Sequence, residues 1–232
     1  MNTYIPTQLS LFPDGTIPVV NSRERVINVS SVPQRSPFRY PGGKTWLVPT
    51  ARKWFRQATA ESQLYEPFAG GGIISLTAIA EGYFSHATMV ELDDDMAAAW
   101  KTIFSEDECE WLVNSVKSFV VTGENINNSV NQSGKGTKER GFATIVRNRT
   151  SHGGILAKGS GMIKTGEGGR GLASRWYPDT LARRICEANA LRNRITFVHG
   201  NAFNIVEQNL DNKHAFFFID PPYTVAGKRL YN

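Results

Sequence analysis

The stretch QLYEPFAGGGIISLTAIAEG (Gln63–Gly82) decides the fold class. Gln63 to Glu66 have the character of a short strand, Pro67 and the glycines that follow make a turn, and IISLTAIAE then carries apolar residues at helical spacing until Gly82 closes it. Strand, glycine turn and helix form the opening unit of an α/β sheet. The turn leaves backbone N–H groups at a helix start, where a ligand can be received. Outward from this unit, ATMVE (87–91) reads as a second strand, and DDMAAAWKTIF (94–104) as a helix with Asp94 and Asp95 at its positive end. ECEWLVNSVKSFV (108–120) continues as a helix with Leu112, Val116 and Phe119 on one face. PDTLARRICEANALR (178–192) predicts another, with Pro178 near its first turn, and ITFVHG (195–200) and HAFFFID (214–220) predict two more strands. Buried apolar strands alternating with helices imply a parallel α/β sheet.

At 232 residues, with 41% hydrophobic and 20% charged residues, the chain fits one globular domain with an insertion. No apolar run approaches the roughly 18 residues needed to span a bilayer. MNTYIPTQLSLFPDGTIP at the start lacks the pattern of a secretion signal, and residues 1–35 read as a loosely held arm. Cys109 and Cys186 stand outside any CxxC spacing, which implies reduced thiols in a cytosol. The formal charge of +5 is unevenly spread: from Lys135 to Arg194 thirteen Lys/Arg face four Asp/Glu. That basic block, most of whose excess falls in a Gly- and Asn-rich segment at 123–178, is the footprint of a polyanion-binding surface or of a solvated basic loop. It is expected to be an insertion supported by a partner or by the domain body, dividing the main domain into 36–122 and 179–232.

The glycine clusters exclude two common nucleotide sites. EPFAGGG (66–72) lacks the third glycine of a dinucleotide fingerprint, because position 75 is Ser. PGGKT (41–45) resembles the end of a phosphate loop, but position 38 is Phe and no strand leads into it. Glu91, at the end of the second strand, is placed to grip the two hydroxyls of a ribose, whereas Asp94 and Asp95 read as helix-capping acids. Asp220 carries the most information. It ends an apolar strand and is followed by Pro221, Pro222 and Tyr223, which hold the carboxylate and the Pro221 carbonyl stiffly as neighbouring acceptors beside an aromatic face. An amine on a nucleobase fits between such acceptors; the plain alternative is a strand-ending turn.

Taken in order, FRYPGGK (38–44), YEPFAGGG (65–72), VELD (90–93) and DPPY (220–223) resemble the motifs of the Dam-type, alpha-group DNA adenine N6-methyltransferases. NRTSHGGILAKGSGMIKTGEGGRGLASRWYP (148–178) resembles the target-recognition region of phage and restriction-associated members. The resemblance implies a Rossmann-like S-adenosylmethionine-dependent methyltransferase sheet with an inserted basic target-recognition region at 123–178. It also implies that the sheet is incomplete at its C-terminal side, since relatives continue for several strands beyond DPPY. By the same resemblance Tyr40 and Lys44 lie near the methionine end of the donor, Glu66, Phe68, Gly70 and Gly72 surround it, Glu91 holds the ribose, and Asn201 and Phe203 line its adenine. Many relatives carry Asp where this chain has Asn201. Asp220, Pro221, Pro222 and Tyr223 become the catalytic segment for a flipped adenine in double-stranded DNA.

The expected chemistry needs no metal. Accepting both N–H bonds of the adenine amine, at Asp220 and the Pro221 carbonyl, aims the nitrogen lone pair at the donor methyl. Arg147, Arg149, Lys158, Lys164, Arg170 and Arg175 are the candidate phosphate or base-edge contacts, while Trp176 and Tyr177 are either core or DNA contacts. His152 reads as a structural or DNA-contacting residue. The setting implied is the cytoplasm of a bacterial or phage-infected cell. A DNA-binding remnant without catalysis is the competing expectation.

Overall fold

The computed structural model describes residues 29–39, 43–134, 136–152, 161–166 and 169–221. Tyr40, Lys158, Pro222 and Tyr223 lie outside the described residues. Among the described residues the fold is α/β: one parallel sheet of β1 (Gln63–Glu66), β2 (Ala87–Glu91), β3 (Ile195–His199) and β4 (Ala215–Phe217), in the order β3-β2-β1-β4. Eight α-helices accompany it: α1 (Val48–Phe55), α2 (Ile73–Ala80), α3 (Asp94–Phe104), α4 (Cys109–Ser118), α5 (Gly123–Gln132), α6 (Thr137–Thr150), α7 (Pro178–Asn189) and α8 (Ala202–Gln208). None is long and apolar enough to cross a membrane.

Burial explains the sheet's character. Leu64, Tyr65 and Glu66 are all buried, so β1 is covered on both faces, as a strand in a parallel sheet must be. Helix α2 is buried at every position from Ile73 to Ile79, the small polar Ser75 and Thr77 included, as a predominantly apolar helix in the interior is. An aromatic cluster ties the last strand to the first helix: Phe84 meets Phe55 edge-on at 5.4 Å and Phe216 at 5.3 Å, and Trp54 lies 5.3 Å from Phe216. The strand predicted at 214–220 is shorter in the structure. It pairs only as far as the Phe218 N–H, which donates to the Tyr65 carbonyl at 2.8 Å, and β4 lies at one end of the described sheet. Pairing stops there because β1 itself ends at Glu66, before a proline that has no N–H. Ile219 is consequently half exposed.

Within the segment 123–178, helix α6 lies along α3 of the main body and α5 packs on α6. Gly141 is the reason for the close approach: a Cβ there would stand 2.7 Å from Thr102 Oγ1 and 2.9 Å from the Ala98 carbonyl oxygen. Asp95 of α3 then bridges two α6 cations, Arg140 Nε at 2.6 Å and Arg147 Nη1 at 2.9 Å. Trp176 is buried and packs against Phe119 at 5.2 Å, so it belongs to the core, while Tyr177 remains exposed under the Arg170 guanidinium.

Candidate functional site

From β1 the chain runs outward through β2 to β3, and β4 then returns to the other side of β1. The crevice beyond the C-terminal ends of β1 and β4 is therefore the topological switch point, where open α/β sheets receive their ligands. Three predicted site residues, Lys44, Glu66 and Asp220, meet there.

Asp220 emerges just past β4, and Lys44 reaches it from the 3-10 turn Lys44–Leu47 that precedes α1. Lys44 Nζ stands 2.9 Å from Asp220 Oδ2, with the lysine largely buried and the carboxylate one-third exposed. The two motifs stand at nearly opposite ends of the described chain, and the sheet brings them into one ion pair. Beneath them Glu66, at the end of β1, is 3% exposed. Its Oε2 accepts from the Ser75 N–H at 2.9 Å, which fastens the start of α2 to the strand. Burial, first of all, pushes the Glu66 carboxyl up to about 7; the Ser75 hydrogen bonds oppose that rise, and the Asp220 carboxylate adds to it.

Glu91 builds the neighbouring wall. Its Oε1 accepts from the N–H groups of Leu92 and Asp93, each at 2.9 Å, and its Oε2 accepts from the Gly70 N–H at 3.0 Å. Burial raises its carboxyl above the ordinary range, and these backbone bonds oppose the shift. Asp93 caps α3, its Oδ1 accepting from the N–H groups of Asp95 and Met96. The glycine turn is thus held from two sides, because the Gly70 carbonyl also accepts from Trp100 Nε1 at 2.8 Å. Trp100 is fully buried; the sequence reading missed its part here, since an indole in an apolar helix face reads as core alone.

Several of the expected donor-site residues also have partners within the fold. The Gly70 N–H is spent on Glu91 and is not open to a ligand. Gly72 caps α2 at φ +62°, and the space left by its missing Cβ is filled by Met89 and Trp100, so its glycine serves the core. The Asn201 side-chain oxygen accepts from the Phe203 N–H at 3.0 Å, capping α8. Phe203 itself stands 62% exposed, its ring edge-on to Phe68 at 6.1 Å and 82°, presenting an apolar face beside the Glu91 wall. Pro221 is exposed next to Asp220.

The basic candidates divide. Lys164 and Arg170 are exposed, and Arg175 is half buried with Nη1 3.5 Å from the Ser151 carbonyl. Arg147 is held by Asp95. Arg149 is 5% exposed and turned inward, its Nη2 donating to the Pro37 carbonyl, so the direct surface contact expected of it does not hold. His152 is exposed, its N–H donating to the Gly161 carbonyl. One further residue was missed. Fully buried Asn148 clamps the backbone of Arg39, accepting from its N–H at 2.8 Å and donating to its carbonyl at 2.7 Å. No protein-family model matches this chain, and no curated protein matches it.

Proposed function

We propose that this chain is a site-specific DNA adenine N6-methyltransferase that takes its methyl group from S-adenosylmethionine. The observation that carries the reading is the meeting of Lys44, Glu66 and Asp220 at the switch point, beside the glycine turn bound to Glu91. Three motif segments far apart in sequence converge where the fold class receives ligands.

The residues present fit the donor. Glu91 Oε2 accepts one backbone N–H and so keeps lone-pair capacity for a ribose hydroxyl. The exposed Phe203 ring offers a stacking face for the donor's adenine. When bound, the donor supplies an activated methyl and a neutral leaving group. The rest falls to the chain. Lys44 occupies Asp220 Oδ2 and holds the carboxylate in one orientation, leaving Oδ1 to accept an N–H of the substrate amine. The Pro221 carbonyl, one residue on and held by the proline's fixed φ, is the second acceptor. Two acceptors on one amine orient its lone pair away from them, which is the geometry needed for in-line attack. The adenine leaves the duplex to reach this crevice, at a cost of a few kcal/mol that phosphate contacts offset. Exposed Lys164 and Arg170 are the contacts proposed for that task.

The test is direct. Incubated with labelled donor and duplex DNA of varied sequence, the protein should yield N6-methyladenine, and Asp220→Ala should lower the rate at least a hundredfold, as loss of a transition-state acceptor does. Donor binding without any methylated product from the intact protein would refute the catalytic reading.

A further inference from the structure

Helices α4, α5 and α6 enclose a groove of about 460 Å³, a size that holds a small ligand or a few residues of peptide. Three half-buried rings supply its apolar lining. Phe142 of α6 meets Trp111 of α4 edge-on at 6.1 Å and 76°, and meets Phe119, just past α4, at 5.4 Å and 79°. Helix α5 supplies amides: Asn125, Asn128 and Gln132 recur at helical spacing and line the same groove. Asn125 donates Nδ2 to the Val120 carbonyl at 2.8 Å. Asn128 and Gln132 are exposed, and neither side-chain amide is bonded among the described residues. The Trp111 indole N–H is unspent in the same sense, and so is the half-buried Glu139 carboxylate, which no cation pairs there.

The lining selects its ligand. Rings set nearly perpendicular to one another do not bracket a flat ligand, which counts against a stacked nucleobase or sugar; they suit compact, puckered side chains instead. The amides are spaced for a chain. Asn128 and Gln132 stand four helical residues apart, a rise of about 6 Å. Two residues of a polyproline II segment advance about the same distance, ~6.2 Å. Amide and indole N–H groups seek carbonyls, and such a segment keeps its carbonyls free while its prolines bring no N–H of their own. It is also ordered before it binds, so little entropy is lost on docking. The unpaired Glu139 carboxylate completes the match with a cation.

We propose that the α4–α5–α6 groove binds an extended, proline-containing peptide segment of a partner protein, with a Lys or Arg of that segment paired to Glu139. Its prolines rest against Trp111, Phe119 and Phe142, and its carbonyls accept from Asn128, Gln132 and the Trp111 indole. This site is separate from the Lys44–Asp220 crevice and does not depend on the function proposed for it.

Fluorescence anisotropy on the full chain tests this, with a labelled decaproline carrying one terminal arginine as the probe. The probe should bind saturably, and a decaserine with the same arginine should not. Gln132→Ala should weaken the proline probe about fivefold, the worth of one hydrogen bond. Trp111→Ala should weaken it about tenfold or more, as a central aromatic anchor does. Because Gln132 is exposed, its replacement leaves the fold intact whatever becomes of the tryptophan variant. Glu139→Gln should weaken the arginine-bearing probe and leave plain decaproline unchanged; an equal effect on both would remove the basic residue from the proposal. No saturation by about 1 mM proline probe, or equal affinity in every variant, would overturn the site. Tighter binding of single-stranded oligothymidine, lost in Gln132→Ala, would overturn the peptide assignment and give the groove to nucleic acid.

Discussion

Replacing Glu66 by glutamine should stabilise the protein above neutral pH. The buried carboxyl titrates near 7 in the folded protein against an ordinary 4.5, so the folded state binds its proton more tightly than the unfolded chain. Stability is then lost as pH rises from 4.5 towards 7, and the loss is complete above that range. A displacement of that size corresponds to about 3 kcal/mol at pH 8. At pH 5 the same relation leaves less than ~1 kcal/mol. Glutamine has nearly the same shape, keeps an oxygen for the Ser75 N–H, and never ionises. Urea unfolding of both proteins between pH 5 and 8.5 isolates the effect, because titrating groups that do not interact with Glu66 cancel in the difference. The variant's advantage should grow by about 2 kcal/mol across that range. A difference that stays flat with pH would refute the reasoning, since it would mean that Glu66 holds the same charge in the folded and unfolded chain.

Gly72→Ala should destabilise the fold by about 2 kcal/mol in the same assay, from the left-handed backbone and from a Cβ lying 2.5 Å from Met89 Cε and 3.0 Å from Trp100 Cζ2. A neutral substitution would refute the account of the turn. Phe203→Ala should change stability by no more than ~0.5 kcal/mol, because the ring is exposed. It should nevertheless weaken S-adenosylmethionine binding in calorimetry roughly tenfold, the worth of one stacked ring. Unchanged affinity would remove Phe203 from the donor site.

The sheet was legible wherever strand and helix periods were clean. ATMVE and DDMAAAWKTIF became β2 and α3 with the expected bounds, since alternation, an acidic first turn and an alanine-rich core face agreed. Helix α6 was not legible. Its buried face includes Thr144, Asn148, Arg149 and Thr150, and Gly141 lies within it, so polarity and glycine together read as loop. Those residues are explained only by their partners: Gly141 by the backbone of α3, Asn148 by Arg39, and Arg149 by Pro37. Glu91 ends β2 as its place in the sequence implies, whereas Asp220 lies just beyond β4, which stops at Phe217. The hydrogen bonds that consume Gly70 and Asn201, and the pairing of Lys44 with Asp220, depend on packing across the sheet, which no local pattern encodes.

The strand order also governs how the molecule is assembled during synthesis. Strand β4 is made last of the four described, yet it pairs with the first, β1. On the ribosome, β1, β2 and β3 can dock with α2, α3 and α6 before β4 is available, because contacts close in sequence form ahead of distant ones. The wall built on Glu91 therefore matures first, and Asp220 arrives after the final strand to meet Lys44. A nascent chain would carry a shaped but incomplete cleft, and the Asp220 carboxylate would be delivered only once the rest of the sheet had been laid down.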